Sequence, residues 1–446
     1  MIKNNTFSII EHQVFSKEDL EEIFKEKAER FYKELEDFAK NNENLLGFKN
    51  KNSLKAKNYV GIIQTKSGVL EILPKCTNLD SYKKEDSSSN HDKEKLRRCY
   101  ELDNISKNND FYEKDFKFNP KNLLINMLKT LKNSPFKKSQ ISSLQSSKIP
   151  LFEVFITMFL DEFDSVYKKG LMRSYLSCEE NRAFLKGKLL FNEHIKRNLI
   201  HKERFFTSND EFVLDIAPNR LIKSTLNFLK SKTSLNKFRL IKSMQILDEV
   251  EFSKNYEKDF TYKISRHFDY YENLLSWCKI FLQNQTFAPY KGKNEAFALL
   301  FPMEKLFEDY VAHMLKKANP TQNIKTQSSG KYLISKKGEK CFMLKPDLYI
   351  ENETILDIKW KIPDSNEDKK HGIAQSDLYQ MFAYACKFKI HDIKLIYPLC
   401  ERTMNLQDAI KELEFNANEH LAFLNDNNDP LKTNIKVQVI FAPLPF

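Results

Sequence analysis

The sequence predicts an α+β / α/β protein, an N-terminal mixed strand-and-helix domain followed by a C-terminal mixed-sheet domain. Three observations predict it. Short apolar runs with strand-like alternation open the chain, helical spacing dominates its middle, and beyond residue 294 the order becomes helix, strand, strand, helix, strand.

The elements follow in order. Phe7 to Val14 alternates loosely, and Tyr59 to Ile63 with Val69 to Leu73 flank the turn Thr65-Lys66-Ser67-Gly68, which predicts a hairpin. Between them, Lys17 to Asn41 places Phe24, Phe31, Tyr32, Leu35 and Phe38 at helical spacing. Residues 78–118 turn polar and charge-mixed and read as an exposed insertion. Asn122 to Leu131 and Ile149 to Tyr167 are predicted helices, the second apolar enough to be a core element. Gly170 after Lys168-Lys169 marks its end. Further helices are expected at Asn219–Lys230, Leu240–Glu249 and His267–Gln283. In the last part a helix is expected over Asn294–Lys317, strands at Phe342–Ile350 and Thr354–Trp360, a helix at Leu378–Phe388 and a strand at Asp392–Tyr397. The resulting division is 1–205, a helical connector at 206–265, and 266–446.

Composition bounds the function. With 446 residues, 41% hydrophobic and 13% aromatic, the chain has ample apolar area for a core. Nine Gly in 446 is about 2% against a usual ~7%, which argues against Gly-rich cofactor cradles. No G-x-x-x-x-G-K-[ST] occurs, so the chain is not expected to bind GTP alone. The net charge of +11 favours anionic partners. The basic tract from Arg173 to Arg204 reads equally as a solvated face or as a nucleic-acid or partner surface. No signal peptide or membrane span is apparent. Seven cysteines without a C-x-x-C pair fit reduced thiols in a cytoplasm.

The chemistry sits in Lys345-Pro-Asp-Leu-Tyr-Ile-Glu-Asn-Glu-Thr-Ile-Leu-Asp-Ile-Lys-Trp360. Two apolar strands bracket Glu351-Asn352-Glu353. A turn centred on Asn352 sets Asp347 opposite Asp357, and side-chain alternation puts Lys359 on the same side. Two facing acids repel unless a cation lies between them, and hard oxygen ligands suit Mg²⁺, with Mn²⁺ as the alternative. Such a site suits phosphodiester hydrolysis, with Lys359 orienting water or stabilising phosphorane charge. Taken alone, the short pattern also fits an ordinary exposed hairpin. Context adds Glu304 and Glu308 on one helical face, either of which could flank the acids. It also adds Gln380 and Tyr384 on another face, where an amide and a phenol could meet a DNA backbone.

Asp347, Asp357 and Lys359 resemble the signature of the PD-(D/E)xK nuclease superfamily, and Gln380 with Tyr384 resembles the Q-x-x-x-Y element of its RecB-like branch. Four segments together resemble the McrC family, the nuclease subunit of the McrBC modified-cytosine restriction system. They are Leu70-Glu-Ile-Leu-Pro-Lys75, Gly170-Leu-Met-Arg-Ser-Tyr175, Met303-Glu-Lys-Leu-Phe-Glu-Asp-Tyr-Val311 and Tyr379-Gln-Met-Phe-Ala-Tyr384. The resemblance implies a C-terminal restriction-endonuclease-like domain that cuts double-stranded DNA carrying modified cytosine. It also implies an N-terminal domain that engages a hexameric McrB-like AAA+ GTPase and stimulates it, GTP acting only through that partner. Asp347, Asp357 and Glu308 would then hold the metal, and Gln380 with Tyr384 would position DNA. Leu185-Lys-Gly-Lys188 departs from the family by carrying Lys where Arg is commoner, which removes bidentate hydrogen bonding. Two rival functions stay open: a non-catalytic DNA-docking regulator of the GTPase, and a stand-alone RecB-like repair nuclease.

Overall fold

The computed structural model describes residues 6–76, 97–102, 105, 119–131, 135–138, 149–283, 296–327, 330–364, 366–406, 412–415, 423–424, 430–431 and 435–445. Most of the expected insertion at 78–118 lies outside the described residues. The chain divides into a smaller packing unit formed mainly by 152–285 and a larger one formed by 3–137, 144–151 and 286–446. These limits differ from the expected boundaries at 205 and 265. The reason is long-range pairing: the opening strands are joined by a strand from beyond residue 285.

In the larger unit, β1 (Thr6–Ile10) runs parallel to β6 (Val69–Leu73), and β6 pairs with β5 (Tyr59–Gln64) as the expected hairpin. Its turn is closed by the Thr65 N–H donating to the Gly68 carbonyl at 2.9 Å, while the Ser67 hydroxyl donates to Glu34 at 2.9 Å. A second sheet orders β2 (Val14–Ser16), β4 (Ser53–Ala56) and β3 (Leu46–Asn50). The helix expected over Lys17–Asn41 is two helices. The first, α1 (Lys17–Phe24), starts in a capping box in which the Ser16 N–H donates to Asp19 at 2.7 Å. It ends where Lys25 adopts a φ of 50°, and α2 (Ala28–Asn41) resumes with Phe31, Tyr32, Leu35 and Phe38 buried. Helix α3 (Pro120–Leu128) begins with proline at its first turn, capped by Asn119.

The smaller unit is built on α4 (Leu151–Lys169), whose Phe152, Phe155 and Phe159 meet Trp277 and Phe281. Gly170 ends it with a φ of 107°, its N–H donating to the Val166 carbonyl. Strands β7 (Ser174–Arg182), β8 (Lys188–Leu189) and β9 (Phe205–Val213) form one antiparallel sheet, with α5 (Phe191–Asn198) between β8 and β9. Gly187 in the Leu185–Lys188 segment has a φ of 78°, and a Cβ there would strike the Ser208 carbonyl. Helices α6 (Ala217–Lys230), α7 (Lys237–Ile246) and α8 (Tyr271–Leu282) complete the unit.

The larger unit resumes with a correction. The helix expected over Asn294–Lys317 is a strand followed by a helix: β10 (Phe297–Pro302) pairs antiparallel with β5, and α9 (Met303–Ala318) follows Pro302. The run Phe-Ala-Leu-Leu-Phe is apolar on both faces, as a strand buried on both sides requires, and proline separates the two elements. β11 (Ile324–Thr326) comes next, then a separate ribbon of β12 (Lys331–Lys336) and β13 (Glu339–Leu344). The strand expected over Phe342–Ile350 is therefore interrupted at Lys345-Pro346-Asp347, where proline cannot donate to a ladder. β14 (Leu348–Ile350) and β15 (Thr354–Ile358) are antiparallel, α10 (Gln375–Phe388) crosses over, and β16 (Asp392–Leu399) lies parallel to β15. β17 (Glu412–Phe415), the small pair β18 (Phe423–Leu424) and β19 (Pro430–Leu431), and β20 (Ile435–Pro443) complete the chain. The central mixed sheet has the order β11-β14-β15-β16-β20-β17 and packs Ile355, Met381, Ile393, Leu395, Val437 and Phe441 into one core. Among the described residues no helix is long and apolar enough to cross a membrane.

Candidate active site

The register of β14 and β15 centres on Asn352, which holds a φ of 60°, a conformation asparagine tolerates better than most residues. Leu348 pairs with Leu356, so one step further along the ladder Asp347 falls opposite Asp357. The Ile358 N–H donates to Asp347 Oδ2 at 2.8 Å, which fixes the first acid against the strand that carries the second. Lys359 lies just past the end of β15, its N–H donating to the Ile396 carbonyl of β16 at 2.9 Å.

The site's charges are costly. Burial and then the Asp357 charge push the Asp347 carboxyl up to about 7. Asp357 is 1% exposed, and burial raises its pKa as well, against the opposing effect of Lys359. Burial disfavours the Lys359 ammonium, yet Asp357 and Asp347 hold it above its ordinary range. Lys359 Nζ stands 2.6 Å from Asp357 Oδ2, an ion pair made by a fully buried carboxylate. Two buried acids of raised pKa that share one ammonium leave surplus negative charge, which fits a hard cation.

The other expected residues are arranged around this pair. Glu308 on α9 lines a cavity of about 410 Å³ together with Asp347, Ile358, Thr326, Gln327 and Lys305. It raises the pKa of both aspartates electrostatically, but it accepts a hydrogen bond from Lys305 at 2.9 Å. Among the described residues no three carboxylate, imidazole or thiol groups converge closely enough to hold a metal, so Glu308 stands outside the pair in this geometry. On α10, Gln380 Oε1 accepts from Lys359 at 3.1 Å, Gln380 Nε2 donates to the Tyr384 hydroxyl at 2.7 Å, and that hydroxyl donates to the Lys345 carbonyl at 3.0 Å. Tyr384 is buried, and burial followed by the Asp357 charge raises its phenol pKa. These two side chains therefore tie the lysine to the segment leading into Asp347.

Two groups of residues around the site carry no signal that the motifs alone reveal. Asp377 on α10 is buried, pairs with Lys361 at 2.7 Å and raises the pKa of Asp357. Its place one helical turn before Gln380 was the available signal. The second group spans the chain. The Trp360 indole donates to Glu11 at 2.9 Å, the Lys75 N–H donates to Glu11 at 3.1 Å, and Lys75 Nζ donates to the Trp360 carbonyl at 2.9 Å. Burial raises the Glu11 pKa to about 6 against the opposing Lys75 charge. Glu71, in the same Leu70–Lys75 segment, is buried, pairs with Lys121 at 3.1 Å and accepts from Ser8 at 2.9 Å. No short-range pattern signals pairings over such separations.

Comparison with solved structures shows the fold elsewhere. A chain of the refined half-complex from the tetradecameric assembly of Thermococcus gammatolerans McrB AAA+ hexamers with bound McrC matches with a TM-score of 0.62 and 20% identity, over 98% of this chain and 94% of that one. A second, the cryo-EM structure of the Thermococcus gammatolerans McrBC complex, matches with a TM-score of 0.45 and 21% identity, over 70% of this chain and 87% of that one. Comparison with curated proteins gives no match. The family described as McrBC 5-methylcytosine restriction system component matches residues 54–398, most of the chain and every residue around the site except Ser8 and Glu11. On that match, the chain belongs to the McrBC 5-methylcytosine restriction system family.

Proposed function

We propose that this chain is the DNA endonuclease subunit of a GTP-dependent modified-cytosine restriction complex, a Mg²⁺-dependent endodeoxyribonuclease that also stimulates the GTPase of its AAA+ partner. The observation that carries the reading is the pair of facing, buried acids with raised pKa values, beside a lysine that their charges keep protonated. The sheet is read as PD-(D/E)xK-like on the same ground. The similar Thermococcus gammatolerans assembly is described as McrB AAA+ hexamers with bound McrC. A hexameric partner of that kind is proposed here too, with duplex DNA as substrate and the cytoplasm as compartment.

Asp347 and Asp357 would hold Mg²⁺ or Mn²⁺, with Glu308 supporting the ion's shell from α9. Such an ion, when bound, polarises the scissile phosphate and acidifies a water molecule. Lys359 orients the attacking water and stabilises charge on the phosphorane oxygens. Gln380 and Tyr384 position the strand through Lys359 and the Lys345 carbonyl, keeping the ammonium aimed at the phosphate. The facing carboxylates and the ammonium are prearranged, so little reorganisation is left for the reaction itself.

The test is cleavage of a methylcytosine-containing plasmid by the complex with GTP and Mg²⁺. Asp357→Ala is expected to abolish scission while leaving stimulation of the partner's GTPase in place; cutting at the parent's rate would refute the site. Stimulation without scission by the parent chain would identify a DNA-docking regulator. Scission by the chain alone would identify a stand-alone repair nuclease.

A further inference from the structure

The ribbon of β12 and β13 is an insertion between two neighbours of the central sheet, β11 and β14, and among the described residues it pairs with neither. An isolated two-stranded hairpin is marginal in water, so a ribbon kept outside the sheet calls for another source of stability. Twelve strand residues build it, and most are exposed on both faces. Lys331, Lys336, Lys337, Lys340 and Lys345 are all exposed against a single acid, Glu339. Between the lysines stand exposed apolar side chains: Ile334 at 51%, Met343 at 41% and Phe342 at 70%. Phe342 also holds a φ of 57°, a costly conformation for an aromatic residue.

Position decides what this surface faces. Three residues after the ribbon ends at Leu344 the chain reaches Asp347, and β12 lies beside α10, which carries Gln380 and Tyr384. A strand of six residues spans about 20 Å, enough to cross a major groove about 12 Å wide, which admits a two-stranded ribbon. Lysines around apolar side chains fit a polyanion with stacked bases.

We propose that the ribbon of Lys331–Leu344 is a DNA-docking element that seats in a groove of the duplex beside the scissile phosphate and sets where Asp347 and Asp357 meet the strand. This rests on the nuclease reading, so binding is measured apart from cutting. In an Asp357→Asn background, the complex with its AAA+ partner and a non-hydrolysable GTP analogue is titrated with a methylcytosine-containing duplex over a range of salt. The triple variant K336Q/K337Q/K340Q is expected to bind roughly ten- to a hundredfold more weakly. Its log Kd against log salt should be flatter by about 2 to 3, near 0.9 for each phosphate that the lysines no longer neutralise. K336R/K337R/K340R should restore both, with GTPase stimulation in the absence of DNA unchanged in either variant. Parental affinity and salt slope in the glutamine variant would overturn the proposal, as would equal losses in both triples. Weakened association with the AAA+ partner in place of weakened DNA binding would reassign the ribbon to the ring and likewise overturn it. Failure of the parent chain to cut DNA would count against the nuclease reading alone.

Discussion

Glu11 shows how one residue can make the molecule sensitive to pH. It is buried, and its folded pKa of about 6 lies above the ordinary 4.5. The native state therefore holds its proton over a range in which the unfolded chain has released it, and stability falls as pH rises. The stabilisation is whole below about 4.5 and lost by the time pH passes about 6. The difference of 6 − 4.5 corresponds to about 2 kcal/mol. Denaturant titrations across that window are expected to show a slope in the parent chain that is smaller by this amount in Glu11→Gln, the raised Asp347 carboxyl supplying the part that remains. At the site itself, Lys359→Met is expected to lower single-turnover cleavage roughly a hundred- to a thousandfold, since it removes a preorganised charge. Gln380→Ala is expected to cost less, because Asp357 still holds the ammonium at 2.6 Å.

At the scale of elements, the approach of β5 to β10 depends on Gly61. Its φ is 134°, and a Cβ there would run into the Leu299 carbonyl of the paired strand. Gly61→Ala is expected to destabilise the protein by roughly 2 kcal/mol or more, through left-handed strain and weaker strand pairing. Thermal melts check this, with Gly170→Ala as the contrast: its φ of 107° carries left-handed strain as well, but the space around it is open, so its smaller loss leaves out the clash. The hairpin of β14 and β15 was legible in the sequence because a period of two between apolar strands fixes both turn centre and facing pairs. The single helix expected over Asn294–Lys317 was not: a six-residue apolar run has no distinctive period, and only its pairing with β5 makes it a strand.

For the whole molecule, the decisive fact is that the larger unit is assembled from both ends of the chain. Trp360, one residue beyond Lys359, donates to Glu11 on the opening segment and takes the Lys75 ammonium on its carbonyl. Trp360→Phe is expected to keep the ring packing against Phe307 at 5.1 Å but leave Glu11 short of a donor. It should lower stability by about 1 to 3 kcal/mol, read by denaturation, and weaken cleavage more than it weakens DNA binding.

Some of this protein was written in the sequence by itself: the alternation that sets Asp347 opposite Asp357, the helical spacing that puts Gln380 and Tyr384 on one face, and the absence of a P-loop. Those features depend on neighbours a few residues away, where backbone period dictates which side chains meet. Tertiary structure alone decided that Asp357 and Asp347 are buried deeply enough for their pKa values to rise, and that Glu11 and Lys75 brace the strand from the far end of the chain. Burial and partners separated by hundreds of residues set the energy of a charge, and no local pattern encodes them.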